Sequence, residues 1–530
     1  MGLISILAYS PVYAEMRHIS YELSYSHPAP ITCLNIYVKT TLDSTGKFSF
    51  FVPKWSFNHV SYMGKNGQTN YVDDTHIFTI LDKPFSPVQF SYDLCPVDPA
   101  RDLRTSIIDK EYIFLDFLSA LIFPSEMTNW KEKWDIEFEL KNLPAHFNFY
   151  SSYPIENKKI KITETWPRFL HTALWATKNV ATSIIVNKKQ VDFIYIGENK
   201  KKRKKLEIIT KKLMIEQRKF WQDDDFKQYS AIFLDNELQK SRGNLIGKNA
   251  TCFFSYLVDD LEKEKADTIH QISHELFHAW LGDKISFAPY PSDLTWFVEG
   301  FTDYYGQKLA QKSGLLSSKE VKEIFNRQIL AYYQLPIKNE TQETFLSSGY
   351  KDPMYYSLNL LKGYFIAAWL DRLKNPKGDA LMPLILREIL ATYSKQAEEN
   401  LMISKELVFE VFSKYISEDE MFLINSIIVY GKTIEFTPNF TMGEITKLKE
   451  KKVPDFGFDL NELITNRTIK NLKSDSAAFR AGLRNEMKVL DHNFRLIKTN
   501  QEIKLQALTK QGSQEFYYFP EIKVIKVPQL

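Results

Sequence analysis

Cysteine is scarce: Cys33, Cys95 and Cys252 are the three in 530 residues, and none has CxxC spacing. A disulfide framework is therefore excluded. Cys33 and Cys95 fall in the same amino-terminal stretch and are close enough in pattern to pair, but separately buried thiols are the expected state, because free cysteine behaves as a small hydrophobe. An excess of charge is also lacking. The net charge is +3, spread over 68 basic and 65 acidic side chains, which gives no global pull toward nucleic acid or a membrane surface. No stretch reaches the roughly 18 apolar residues needed to span a bilayer, so no transmembrane segment is expected. The most apolar run, Tyr112 to Pro124, is broken by Asp116 and reads as core. Internal repeats and low-complexity segments are absent too.

What is present is hydrophobic material, 44% of the chain, in a length too great for one core. A multidomain α+β protein is the expected class. Residues 1–14 (MGLISILAYSPVYA) are apolar and end on a small residue, like the core and cleavage site of a secretory signal, although a basic start is missing. Export to the periplasm or beyond the cell is the expectation, with a cytoplasmic protein and an ordinary first strand as the alternative. From residue 15 to 166, short alternating runs such as ISYELSYS, CLNIYVKT and WDIEFEL are broken by Pro, Gly, Asn and Asp. Period-two alternation with aromatic and β-branched residues predicts a β-sandwich-like domain.

Residues 167–315 alternate strand and helix patterns, with strands at Val191–Ile196, Ala231–Leu234 and Cys252–Val258. The basic run Lys200 to Lys205 lacks interleaved aromatics and is followed by Asp223, Asp224 and Asp225. It reads as a solvated strand-to-helix connection, so no nucleic-acid partner is expected. Residues 316–445 show three- and four-residue apolar spacing in five segments, which predicts a helical domain. The Lys-rich stretch Thr446 to Pro454 opens a last domain, 446–530, of strands and one short helix.

The segment Asp267 to Leu281 reads DTIHQISHELFHAWL. Residues four apart share a helix face, so His274 and His278 project side by side and can reach one Zn²⁺. Glu275, turned about 100° away, stands beside the metal, where it can take a proton from the attacking water. Ile272, Leu276, Phe277 and Trp280 make this helix too apolar for a solvated surface. Burying two histidines and a glutamate without partners costs several kcal/mol, and a dication removes that difficulty. A catalytic zinc keeps three protein ligands and one open place. Glu299 is the third candidate, in the aromatic segment LTWFVEGF, and Asp303 one turn on is placed to fix the tautomer of a ligating histidine. The expected site is thus one Zn²⁺ held by His274, His278 and Glu299, with Glu275 as base.

HELFHAWLGD followed by TWFVEGFTDYYG resembles the gluzincin metallopeptidases. The first run looks like the aminopeptidase N branch. Leu294 to Gly306 with Lys312-Ser313-Gly314-Leu315 looks like the glycyl aminopeptidase branch, as do HISYELSYSHP, FVPKWSF and the carboxy-terminal DFGF and DSAAFRAGL. The resemblance implies a thermolysin-like catalytic domain and a PDZ-like domain at the end. It implies hydrolysis of peptides, as an aminopeptidase on short peptides, with a peptide ligand for the PDZ-like domain. Two family features depart. The glycine-rich strand that grips a free amine carries Ile246 where the acid stands. The oxyanion tyrosine, two residues before the Lys362-Gly363 pair, is replaced by Leu360, with Tyr356 one turn earlier on the same face. At the PDZ-like end, Glu486-Met487 replaces a usual Gly-Asp. These departures leave two alternatives open: a zinc endopeptidase, and a catalytically weak, zinc-loaded peptide-binding protein.

Overall fold

A computed structural model of the chain describes residues 17–26, 33–52, 57–62, 68–72, 77–95, 106–109, 111–125, 132–226, 229–235, 247–250, 253–258, 261, 265–287, 292–349, 352–374, 378, 380–396, 402–444, 446–493 and 501–530. The proposed signal segment, Ile246 and Cys252 lie outside them. The chain forms two compact units, one of residues 1–184, 190–198 and 226–258, the other of 185–189, 199–225 and 259–530.

In the first unit, alternation in sequence becomes alternation in burial. Cys33–Thr41 and Lys133–Leu140 bury every second residue, which is the period of a strand with one dry face. His18–Ser26 pairs in parallel with Lys133–Leu140 and antiparallel with Cys33–Thr41, inside a six-stranded sheet. Its inward residues Tyr21, Val38, Phe90 and Phe138 share one core with Phe48, Phe50 and Ile80 of a four-stranded sheet. Phe50 and Phe90 meet across that core at 4.9 Å. A second, five-stranded sheet runs Lys189–Ile196, Ser230–Asp235 and Phe253–Val258 in parallel, with Gly247–Ala250 antiparallel at its edge. The three strands read from the sequence are these parallel ones.

The expectation of two separate thiols is wrong. Cys33 and Cys95 form a disulfide, with Cα atoms 4.3 Å apart. The cause lies in strand register: Leu34 faces Leu94, so the residues one step outward face each other as well, and directly opposed positions are within bridging distance.

In the second unit, the basic run belongs to a helix rather than a connection: Asn199 caps Lys200–Trp221 through its side chain. The helix Ser318–Gln334 is closed by a Ser317/Glu320 capping box. It matches the predicted segment, as do Leu381–Gln396, Lys405–Ser413 and Glu418–Ile428. Three helices build the centre: the metal helix Lys265–Phe277, the glutamate helix Thr295–Lys312 and the tyrosine helix Pro353–Leu370. The last two are buried almost all round, as helices enclosed by other helices must be. They touch backbone to backbone, since a Cβ built on Gly363 would collide with the carbonyl of Trp296 and one on Gly300 with Gly363 itself. The end of the tyrosine helix is latched to the middle of the glutamate helix by Asp371, which accepts from the hydroxyls of Tyr304 and Tyr305 at 2.9 Å each.

Residues 446–530 contain a two-stranded ribbon (Lys447–Asp455 with Glu521–Gln529), a three-stranded sheet (Val489–His492, Ile503–Thr509, Gly512–Tyr518) and two short helices. Glu486 adopts φ +65°, the left-handed conformation that glycine adopts without strain. Among the described residues, no helix is long and apolar enough to cross a membrane.

Candidate metal centre

His274 lies in the last turn of the metal helix, and His278 one residue beyond its end. The amide of His278 still bonds the carbonyl of His274 at 3.3 Å, so helical spacing carries over and the two rings share a face. Their Nε2 atoms are 3.1 Å apart. Glu299, from the first turns of the glutamate helix, brings Oε2 to 3.6 Å from His274 Nε2 and 3.7 Å from His278 Nε2. Three donors bonded at ~2.0–2.1 Å to one tetrahedral ion stand about 3.3–3.4 Å apart. The observed triangle fits that figure closely. Among the described residues, these are the three side chains grouped so as to hold a metal.

Both imidazoles have their outer nitrogen occupied. His278 Nδ1 donates to the carbonyl of Leu281 at 2.9 Å, and His274 Nδ1 to Asp303 Oδ1 at 3.3 Å. In the neutral rings each Nε2 is thereby left with its lone pair toward the centre. Two further donors reach Asp303: Gln328 Nε2 bonds its carboxylate at 2.8 Å, and His270 Nε2 bonds its main-chain carbonyl at 3.0 Å while standing 3.1 Å from Oδ1. The sequence placed Asp303 beside a ligand but missed these two. His270 carries a local signal, since it continues the four-residue spacing of His274 and His278. Gln328 carries none, because it arrives from another helix.

Electrostatics agree with the geometry. Burial opposes charge on His274, but hydrogen bonds to Asp303 and Glu299 raise its pKa to about 10. Burial opposes charge on Glu299 as well, and His278, His274 and the Tyr356 hydroxyl bring it down to about 2. Asp303, despite burial, is held below the usual carboxylate range by His270 and His274. Without a cation, the positive charge that these carboxylates favour sits on His274 as a proton; a dication held at Nε2 would displace that proton and supply the charge instead. The donor set, two imidazoles and a carboxylate, suits zinc.

Glu275 is half-buried next to this triangle, and its charge acts on both His274 and Tyr356. Tyr356 donates its hydroxyl to Glu299 Oε2 at 2.7 Å. Desolvation first, then the charge of Glu299, lifts the Tyr356 phenol well above its ordinary value, so it stays a donor. The phenol of Tyr356, one turn before Leu360, thus reaches the triangle. Residues 243–246 of the glycine-rich stretch lie outside the described residues.

Residues 267–356 match the family model of the M61 glycyl aminopeptidases. That stretch contains His274, Glu275, His278, Glu299, Asp303 and Tyr356. No curated protein sequence matches the chain. Among solved structures, an aminopeptidase N family protein from Idiomarina loihiensis is similar with a TM-score of 0.68 at 12% identity, covering 96% of this chain and 98% of its own. An M1 zinc metallopeptidase from Deinococcus radiodurans is similar with a TM-score of 0.51 at 11% identity, over 79% of this chain and 95% of its own. At such identities the solved structures speak to fold alone. The gluzincin resemblance is borne out on both counts: the metal-binding segment matches the glycyl aminopeptidases in sequence, and the chain is similar to the aminopeptidase N family in fold.

Proposed function

We propose that the chain is a zinc-dependent peptidase, with His274, His278 and Glu299 as ligands, and that it acts as an aminopeptidase on short peptides. The observation that carries this reading is the triangle of three donor atoms, with both outer imidazole nitrogens already tied. When bound, zinc supplies Lewis acidity and lowers the pKa of its water to ~7. Glu275 takes the proton of the attacking water and returns it to the departing amine. Tyr356, kept protonated, donates to the oxygen on which negative charge develops. Asp303 and the Leu281 carbonyl hold the two imidazoles in the tautomer this requires.

An M1 zinc metallopeptidase mutant of similar fold (TM-score 0.50, 12% identity) was solved bound to a Tyr-Ser-Ala substrate, which supports a short peptide as substrate here. The Cys33–Cys95 disulfide supports an oxidising compartment, hence the periplasm or the cell exterior. The strands of 446–530 and the glycine-like turn at Glu486 support a PDZ-like domain there, whose peptide ligand would add a strand.

The test is zinc content and cleavage together. The wild-type chain is expected to carry one zinc and to cleave unblocked short peptides from the amino terminus. Glu275→Gln is expected to keep the zinc and lose cleavage. Internal cleavage would shift the reading to an endopeptidase, and a zinc-loaded wild type that cleaves nothing would sink it in favour of a binding protein.

A further inference from the structure

Tyr356 sits in the first turn of the tyrosine helix, and that turn is held from outside the catalytic helices. The cap is Asp352, whose side chain is fully buried. Its Oδ1 accepts from the Met354 amide at 2.9 Å. Its Oδ2 accepts from His492 Nε2 at 2.6 Å, and Arg467 Nη1 stands at 3.5 Å. A buried carboxylate is tolerated only with partners, and both basic partners come from residues 446–530. His492 lies at the end of the strand Val489–His492 with its side chain 2% exposed. Arg467 is the left-handed residue that ends the short helix Leu460–Asn466.

A second contact of the same segment reaches the other support of the site. Gln529 Nε2 donates to the carbonyl of Asn326 at 3.2 Å, and the Leu530 amide to Asn326 Oδ1 at 2.7 Å. Asn326 is two residues before Gln328, the donor to Asp303. Residues 446–530 thus touch both the helix that places Tyr356 and the helix that braces His274 through Asp303.

We propose that the carboxy-terminal segment is a strut for the metal centre, and that His492 and Arg467 are positioning residues for Tyr356. This rests on the proposed role of Tyr356 as oxyanion donor. It assigns the segment a task at the active site that is independent of any peptide it binds. Without His492, the cap loses a buried donor and the first helical turn loses its anchor. The Tyr356 hydroxyl then drifts from the position at which it must meet developing charge, and a displacement of that kind is felt in kcat.

The experiment uses the full, zinc-loaded chain with His492→Phe, His492→Gln, Tyr356→Phe and the double variant His492→Phe/Tyr356→Phe. His492→Phe is expected to lower kcat at least about ten-fold while KM and zinc content stay at wild-type values. His492→Gln, which keeps a side-chain N–H donor, is expected to restore most of the rate. The double variant is expected to lose no more than Tyr356→Phe alone, because both changes act through one hydroxyl. A wild-type kcat in His492→Phe, or a loss that adds in full to that of Tyr356→Phe, overturns the proposal. A wild type without peptidase activity would sink the peptidase reading instead. Amide exchange at Met354 to Leu358 then decides the strut alone: faster exchange in His492→Phe that Gln reverses supports it, and unchanged exchange overturns it.

Discussion

Replacing Asp303 tests the support of the metal centre more directly than replacing a ligand. The residue is 3% exposed; its Oδ1 accepts from His274 and its Oδ2 from Gln328, while His270 Nε2, bonded to the main-chain carbonyl at 3.0 Å, stands 3.1 Å from Oδ1. Asp303→Asn keeps the shape and one acceptor. Its amide oxygen is best spent on the two imidazoles, which leaves the amide nitrogen facing Gln328, and Gln328 answers by flipping its own amide. The His274 bond persists but is no longer charge-assisted, a difference on the order of 1 kcal/mol. Asp303→Ala removes both carboxylate acceptors and leaves His274 free to turn. Loss of such a support costs ~10–100-fold in metal affinity, or about 1.4–2.8 kcal/mol at 1.4 per decade. Asn is thus expected near the lower bound and Ala at or beyond the upper one. Competition with a chromophoric zinc chelator at fixed pH measures both, with circular dichroism as a check on folding. Wild-type affinity in both variants would refute the idea that Asp303 orients His274, and an Asn variant weaker than Ala would refute the flip.

Gly363→Ala is expected to destabilise the second unit by several kcal/mol or prevent its folding, because the added methyl meets the Trp296 carbonyl; denaturant melts and expression in soluble form report it. Removing the disulfide by Cys33→Ser/Cys95→Ser releases a loop of 62 residues and is expected to cost about 4 kcal/mol. That loss should appear in unfolding of the first unit and leave zinc affinity unchanged. Lys362 is 2% exposed and donates to the Glu340 carbonyl at 2.8 Å, and burial lowers its pKa to about 8. Below that value it is charged in both the folded and the unfolded chain. Between about 8 and ~10.4 the unfolded chain holds the extra proton, so stability rises with pH by up to about 3 kcal/mol. Urea titrations from pH 7.5 to 10 should show this slope flattened in Lys362→Met relative to the wild type.

What could be read from the chain was what is local. His274 and His278 are four apart, and a helix of any provenance puts them together. Glu299 and Asp303 repeat that spacing. The apolar periodicity of 318–334 and 381–396 gave helices to within a residue or a few, since their cores lie on one face. Features that depend on partners far along the chain were not legible. The disulfide follows from which residues of Cys33–Thr41 and Pro87–Leu94 face each other, and no composition rule supplies a register. The bond of Tyr356 to Glu299 spans 57 residues and the His492 contact with Asp352 spans 140. Sequence reasoning offered Tyr356 as a substitute for Leu360, but its delivery to the metal carboxylate is a fact of helix packing. The helix over Lys200–Lys205 was missed for another reason: six adjacent basic residues beside a helix start oppose its dipole, and only the apolar residues further along justify the turn.

The contact of Gly300 with Gly363 makes the spacing of the glutamate and tyrosine helices at that point a property of main chains. Side chains elsewhere on these two helices can change in volume without altering how closely the main chains approach at these two glycines, because no side chain lies between them there. A change at either glycine would push the two backbones apart directly, with no rotamer able to absorb it.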